Sequence, residues 1–298
     1  MKILIFAEKA TSPDIQSHAL GWFNALSTHS NFEVKLWNEK ENISSFDIFD
    51  TFQPDLFWCH SKHLNRSLVR VLLDKQFEET RVVIFLSDLE DMDDNEKKYV
   101  EQLKYKYSIM FSQNFKNYLP NFSGITCHSC LPAADITRFQ PKEIDSEYYS
   151  KISFIGQWEA SKEENIKKYI YPYLNSGIKI FGFGNWPVTN HLGIISDNET
   201  FCKIISNSEM NLSITNNRGW YPSERIFKIM ACKGTLAIQI PNPEYYNMFK
   251  NLTYILLQDF IEHSNYKTVK NSYQWLLDNH TYEHRIRQVF QTLGINHG

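Results

Sequence analysis

Apolar residues in this chain gather in short dense runs, and between the runs they recur every three to four positions. That is the pattern of buried strands alternating with amphipathic helices. The run "KILIFAE" (2–8) reads as a first buried parallel strand, and "SHALGWFNALSTH" (17–29) as the helix after it. Further strands are expected at "FEVKLWN" (32–38), "DLFWCH" (55–60) and "RVVIFLSD" (81–88), with "LNRSLVRVLLDKQ" (64–76) a helix between the last two. The stretch 96–119 continues with a helix and a strand near Ser108 to Ser112, and "GITCHSCLPAAD" (124–135) closes this half. From 151 the alternation restarts: strand "KISFIGQ", helix "SKEENIKKYIYPYLNSG", strand "IKIFGFG", helix "NETFCKIISNSE" and strand "MNLSIT". The fold class expected is therefore α/β, with parallel sheets.

With 298 residues the chain has room for about two domains. The polar, proline-containing stretch "RFQPKEIDSEYYSK" (138–151) reads as the linker, giving domains at 1–146 and 147–298. Two such sheets facing each other across a cleft would place one ligand site beyond the carboxyl ends of both sets of strands. Lys and Arg total 31 against 34 Asp and Glu, so the net charge of -3 forecasts no large nucleic-acid or anionic-membrane footprint. Five scattered cysteines do not make a disulfide framework, and no apolar stretch reaches the roughly 18 residues of a membrane span. The N-terminal apolar run is too short for a signal peptide, so the expected location is cytoplasmic.

The most informative stretch is "YPSERIFKIMACKGTLAIQIPNPEYYNMF" (221–249). Ser223 is a good N-cap, Glu224 suits the first turn, and Gly234 is expected to end the helix in a left-handed conformation. Ile226, Phe227, Ile229 and Met230 give the helix a buried face. Its free N-terminal amides, with Arg225 beside them, suit a phosphate or diphosphate; an ordinary capped helix is the alternative.

Four segments resemble the CgeB-like (spore maturation protein-like) family of glycosyltransferases. "SERIFKIMACKGTLAIQ" is similar to its "R-x-FEALACGG-x-L" helix, and "LPAADITRFQP" (131–141) to the end of its N-terminal domain. "FIGQW" (154–158) resembles the opening of its second domain, and "NHTYEHRIRQVF" (279–290) its C-terminal "HTY-x-x-R" helix. The resemblance implies a GT-B-like fold of two Rossmann-like domains, the last helix packing back on the first. It also implies metal-independent transfer of a sugar from a nucleotide-sugar donor, a UDP-sugar first, and no separate cofactor.

On the matching positions, Gly156 and Gln157 would let backbone approach the donor phosphates. Gly182, Phe183 and Gly184 would meet the nucleobase or sugar edge, and Ser223 and Arg225 the diphosphate. The chain departs from many GT-B enzymes in one respect: Lys228 stands where a second acidic residue holds the donor ribose. Glu224, one turn earlier, is the candidate substitute, and Lys228 is expected to be a solvated surface residue. A non-catalytic nucleotide- or glycan-binding protein, or a nucleotide-sugar epimerase, are the alternatives on the same fold. The acceptor stays open among glycan, protein, metabolite and modified DNA base.

An inverting reaction needs a base from the first domain. Asp88 and His60, at the ends of two expected strands, are candidates, and Glu8 is the third; Asp135 sits near the hinge. Solvated strand-end roles are the alternative for each. The acidic run "SDLEDMDDNE" (87–96) reads as a solvated loop and helix start, and its "DMDD" is the nearest approach to a metal-holding D-x-D. "CHSC" (127–130) lacks a second pair of ligands, and "HSKH" (60–63) lacks a third.

Overall fold

The computed structural model describes residues 1–7, 18–38, 43–87, 91–214, 220–250, 252, 255–256 and 272–296. By their contacts the chain forms two compact units, Met1–Leu131 with Tyr282–Gly298, and Pro132–Thr281.

The first unit is built on β1 (Lys2–Phe6), β2 (Glu33–Trp37), β3 (Leu56–His60), β4 (Arg81–Phe85), β5 (Ile109–Ser112) and β6 (Thr126–Ser129). They form one sheet in the order β2-β1-β3-β4-β5-β6, every pair parallel. The strands read as unbroken apolar runs because both faces are covered. Leu4, Phe6, Phe57, Cys59, Val82 and Ile84 enter one core. That core lies with α2 (Ser45–Phe52), α3 (Arg66–Leu73) and α4 (Asp94–Leu103). On the other face Trp58 and Phe85 pack with Trp22 of α1 (His18–Leu26), whose ring in turn meets Tyr282.

The C-terminal helix Tyr282–Thr292 belongs to the first unit. A β-carbon on Gly21 would lie 2.2 Å from the Tyr282 ring, so α1 can approach this helix closely only with glycine there. Arg285 is buried and donates from Nε to the Leu131 carbonyl at 2.7 Å, and His29 pairs with Glu283 at 2.8 Å.

The second unit contains β7 (Ser150–Ile155), α5 (Glu163–Tyr169), β8 (Ile178–Phe181), α6 (Asn198–Ser206), β9 (Ser208–Ser213), α7 (Glu224–Ala231), β10 (Leu236–Ile238), α8 (Pro243–Phe249) and β11 (Ile255–Leu256). Its sheet is again all parallel, in the order β11-β10-β9-β7-β8. At its centre Asn211 is fully buried and fully used: its Oδ1 accepts from Ser153 Oγ at 2.6 Å and its Nδ2 donates to the Ile205 carbonyl at 3.2 Å. Satisfied in this way, the buried amide ties β7 and β9 to α6 instead of costing stability.

Several boundaries differ from those expected. The stretch 138–151 has linker-like composition but packs on the second unit: Phe139 meets the Phe201 ring, and Lys142 and Asp145 donate backbone N–H groups to Ser206 and Asn207. The helix expected over 161–177 runs as α only to Tyr169, then as a tighter turn over Tyr171–Ser176, because Pro172 has no N–H to continue the ladder. At the end of α7 the left-handed residue is Lys233, with φ 56°, and not Gly234. Gly234 is needed for space, since a β-carbon there would lie 2.5 Å from Ile205 Cγ2. Three helices without an expectation, α2, α8 and Ser272–Asn279, are short, and the first two are capped by Ser44 and Asn242.

Candidate functional site

In the second sheet the chain leaves β7 toward β8 on one side and returns to β9 on the other. Such a reversal opens a crevice outside the carboxyl ends of the two central strands. Gly156 follows β7 there, Ile214 follows β9, and α7 begins beside them.

Arg225 reaches this crevice from the first turn of α7. Its Nη1 donates to the Ile214 carbonyl at 3.3 Å, and its guanidinium stands 4.8 Å from the centre of the Phe154 ring. Phe154 and Gly156 share a face of the strand, two residues apart. A β-carbon on Gly156 would lie 2.6 Å from Arg225 Nη2 and 2.8 Å from Phe154 Cζ, so the glycine leaves the space that the guanidinium fills. Among the described residues no carboxylate oxygen lies within 4.0 Å of Arg225, although Glu159 acts on it at longer range. Burial lowers its pKa to about 10, which leaves it charged at neutral pH. The result is a half-buried cation with no paired anion among the described residues, next to a helix N-terminus.

Ser223 caps α7 as expected, its Oγ accepting from the Arg225 N–H at 3.3 Å. The approach to the cap is fixed by Tyr245 of α8, a fully buried residue whose hydroxyl donates to the Tyr221 carbonyl at 2.7 Å. Glu224 pairs with Lys228 at 3.0 Å, and Lys228 lies over the Phe139 ring at 5.2 Å. Lys228 is only 7% exposed, so the expectation of a solvated lysine is corrected. The long aliphatic stem lies in the core while the ammonium finds Glu224, an arrangement that i, i+4 spacing permits.

The glycines after β8 serve the same crevice. Gly182 has φ 129°, and a β-carbon on it would lie 2.1 Å from the Gly156 carbonyl oxygen; Gly184 has φ 101° and abuts the Trp158 carbonyl. The two loops are joined by hydrogen bonds from Gly156 N–H to the Phe181 carbonyl at 2.8 Å and from Trp158 N–H to the Phe183 carbonyl at 3.0 Å. Phe183 between the glycines is 55% exposed, and Gln157 is exposed too. Thus Gly156, Gln157, Gly182, Phe183, Gly184, Ser223, Glu224 and Arg225 all lie at one edge of the second unit.

The sequence reading missed several partners at that edge. Phe154 and Tyr245 look like ordinary core aromatics in sequence, and only the G in "FIG" hints that something must lie over Phe154. Two buried polar atoms here, Ser213 Oγ and Trp158 Nε1, have no hydrogen-bond partner among the described residues.

In the first unit the expected bases divide. Glu8 and Asp88 lie outside the described residues. His60, half-buried at the end of β3, accepts the Lys62 N–H on Nδ1 at 3.4 Å. Burial, then Lys62, His18 and His63, hold its pKa well below 6.5. The neutral ring therefore carries its proton on Nε2 and presents a donor, which is the wrong tautomer for proton abstraction at that atom. Next to it, buried Ser61 accepts the Ser87 N–H at 2.9 Å and donates to the carboxylate of Glu96. Glu96 is itself buried, so the acidic run is not wholly solvated. Asp93 in that run caps α4, accepting the Glu96 N–H at 2.8 Å. Asp135 is buried and takes the N–H and hydroxyl of Thr137, a turn-forming role. Cys127 and Cys130 are free thiols, each raised by burial to about 12.

Residues 160–291 match a family model described as "Glycosyl transferase-like". No curated protein matches the chain in sequence. Among solved structures the chain shares its fold with Anabaena HepE in complex with UDP-glucose, at TM-score 0.64 and 11% identity over 99% of both chains. It is similarly related to an alpha-glucosyltransferase in complex with UDP and a 13-mer DNA containing a HMU base, at TM-score 0.59 and 12% identity over 98% of this chain and 95% of that one. The UDP-GlcNAc 2-epimerase of Methanocaldococcus jannaschii follows at TM-score 0.50 and 10% identity, covering 98% and 100%. The fold is thus that of the GT-B glycosyltransferases, mixed α/β with parallel, Rossmann-like sheets, and the match to the glycosyl transferase-like model covers most of the second unit.

Proposed function

We propose that this protein is a glycosyltransferase that moves a sugar from a nucleotide-sugar donor, a UDP-sugar first, and that the second unit holds the donor. The observation that carries the reading is Arg225, a charged guanidinium at the β7/β9 crossover with no close carboxylate among the described residues, beside the N-terminal amides of α7. As the glycosidic bond breaks, negative charge grows on the departing diphosphate, and fixed N–H donors stabilise it there more than in the ground state. The UDP and UDP-glucose in the complexes of the two glucosyltransferase-fold neighbours support this choice of donor. The four sequence segments support a place in the CgeB-like family. The acceptor, whether glycan, protein, metabolite or modified DNA base, is left open.

A metal is not required in this reading, because Arg225 and the helix amides supply the neutralising charge. The nearest D-x-D is in part committed to a helix cap, through Asp93. Release of UDP from a panel of UDP-sugars tests the proposal, and turnover should persist in excess EDTA. Strict dependence on magnesium or manganese would move attention to Asp91, Asp93 and Asp94. A second reading, a nucleotide-binding protein without transferase activity, draws on the Glu224–Lys228 pair, which occupies the acid that would otherwise take the ribose. Tight UDP binding with no turnover on any donor would favour it.

A further inference from the structure

The first unit carries a groove that plays no part in the donor site. It lies between α3 and α4, encloses about 430 Å³, and is lined by Arg66, Arg70 and Lys98 around a wall of Val69, Leu73 and Tyr99. No carboxylate lines it. All three cations are exposed, and among the described residues none has a carboxylate oxygen within 4.0 Å. In a chain of net charge -3, three cations around one groove that no acid lines form a local positive site.

We propose that this groove docks an acidic polypeptide segment in extended form. Arg66 and Arg70 are one helical turn apart, a rise of about 6 Å. In an extended peptide, residues i and i+2 point the same way about 6.6 Å apart. Two glutamates or aspartates separated by one residue therefore meet the two guanidinium groups in register, each able to form paired hydrogen bonds. Lys98 faces the same space from α4, and Leu73, 41% exposed, offers an apolar contact to a flanking side chain. The site is too short for a phosphate backbone, which needs cations repeated along a track.

The proposal is independent of the transfer reaction and is tested by binding alone. The probe is a short fluorescein-labelled peptide alternating glutamate and alanine, followed by fluorescence anisotropy, with a lysine–alanine peptide and a thymidine oligonucleotide of similar length as controls. The acidic peptide should bind and weaken as salt rises. The double variant Arg66→Gln/Arg70→Gln should bind it about ten-fold more weakly, the scale for two exposed charge pairs. Both side chains are exposed, so an unchanged melting temperature confirms that the variant is folded; if it is not, Lys98→Gln serves as the second test. Failure of the wild type to bind, equal binding by the folded variant, or tighter binding of the oligonucleotide would overturn the proposal. Self-association that the same variant abolishes, with no peptide binding, would replace the peptide by a second copy of this chain and also overturn it.

Discussion

The guanidinium of Arg225 stands 4.8 Å from the centre of the Phe154 ring, and it can stand there because residue 156 has no side chain. The aromatic face offers the cation an apolar but electrostatically favourable floor without neutralising it. One ring, one glycine and one helix start therefore hold a positive charge at the crossover of the second sheet.

Gly156→Ala tests that relationship. The added methyl group would come within 2.6 Å of Nη2, so Arg225 must leave the Phe154 ring while remaining in the chain. We expect UDP affinity to fall by roughly ten-fold, the loss of about one charged hydrogen bond, with the fold retained. Calorimetric titration on the folded variant checks it, and wild-type affinity would show that the position of Arg225 over the ring is immaterial.

Lys228 and Glu224 should behave as a coupled pair. Lys228→Met keeps the buried stem but leaves Glu224 without its partner, at an expected cost of about 1–3 kcal/mol. In the double variant with Glu224→Gln part of that loss should return, giving a non-zero interaction energy in urea unfolding. Strictly additive losses would mean that the ion pair contributes nothing to the start of α7.

His60 predicts a pH effect of defined sign. Its folded pKa is held well below 6.5, first by burial and then by Lys62, His18 and His63, so in the window below about pH 6.5 the unfolded chain binds a proton that the folded one refuses. Its contribution to stability is complete above that pH and is lost as the pH falls. His60→Gln should therefore lose less stability than the wild type between about pH 7 and pH 5. Urea midpoints at both pH values decide it; equal losses would remove the argument for a neutral imidazole in the folded chain.

The strand–helix alternation was legible because parallel strands buried on both faces read as apolar runs: "KILIF" and "RVVIF" became β1 and β4. Short helices were not. In α2, "SFDIFDTF" mixes aromatics and acids in too few turns to show a period. The stretch 138–151 reads as a linker because its polar groups are satisfied by α6 and its C-cap, Ser206 and Asn207, which composition cannot reveal. At the candidate site Ser223 and Arg225 were legible from helix capping, whereas Lys228 was misread as solvated because nothing local shows that Phe139 covers it. His60 was rightly placed at a strand end, but its tautomer depends on the Lys62 amide.

The central claim, a nucleotide-sugar donor site built on Arg225, is tested most directly by isothermal titration calorimetry of UDP against the wild type and Arg225→Ala. A charge-assisted contact to the diphosphate is worth about 1.5–3 kcal/mol, so the variant should bind roughly ten- to a hundred-fold more weakly while keeping its melting temperature without ligand. Unchanged UDP affinity in a folded Arg225→Ala protein, or no UDP binding by the wild type, would contradict the account.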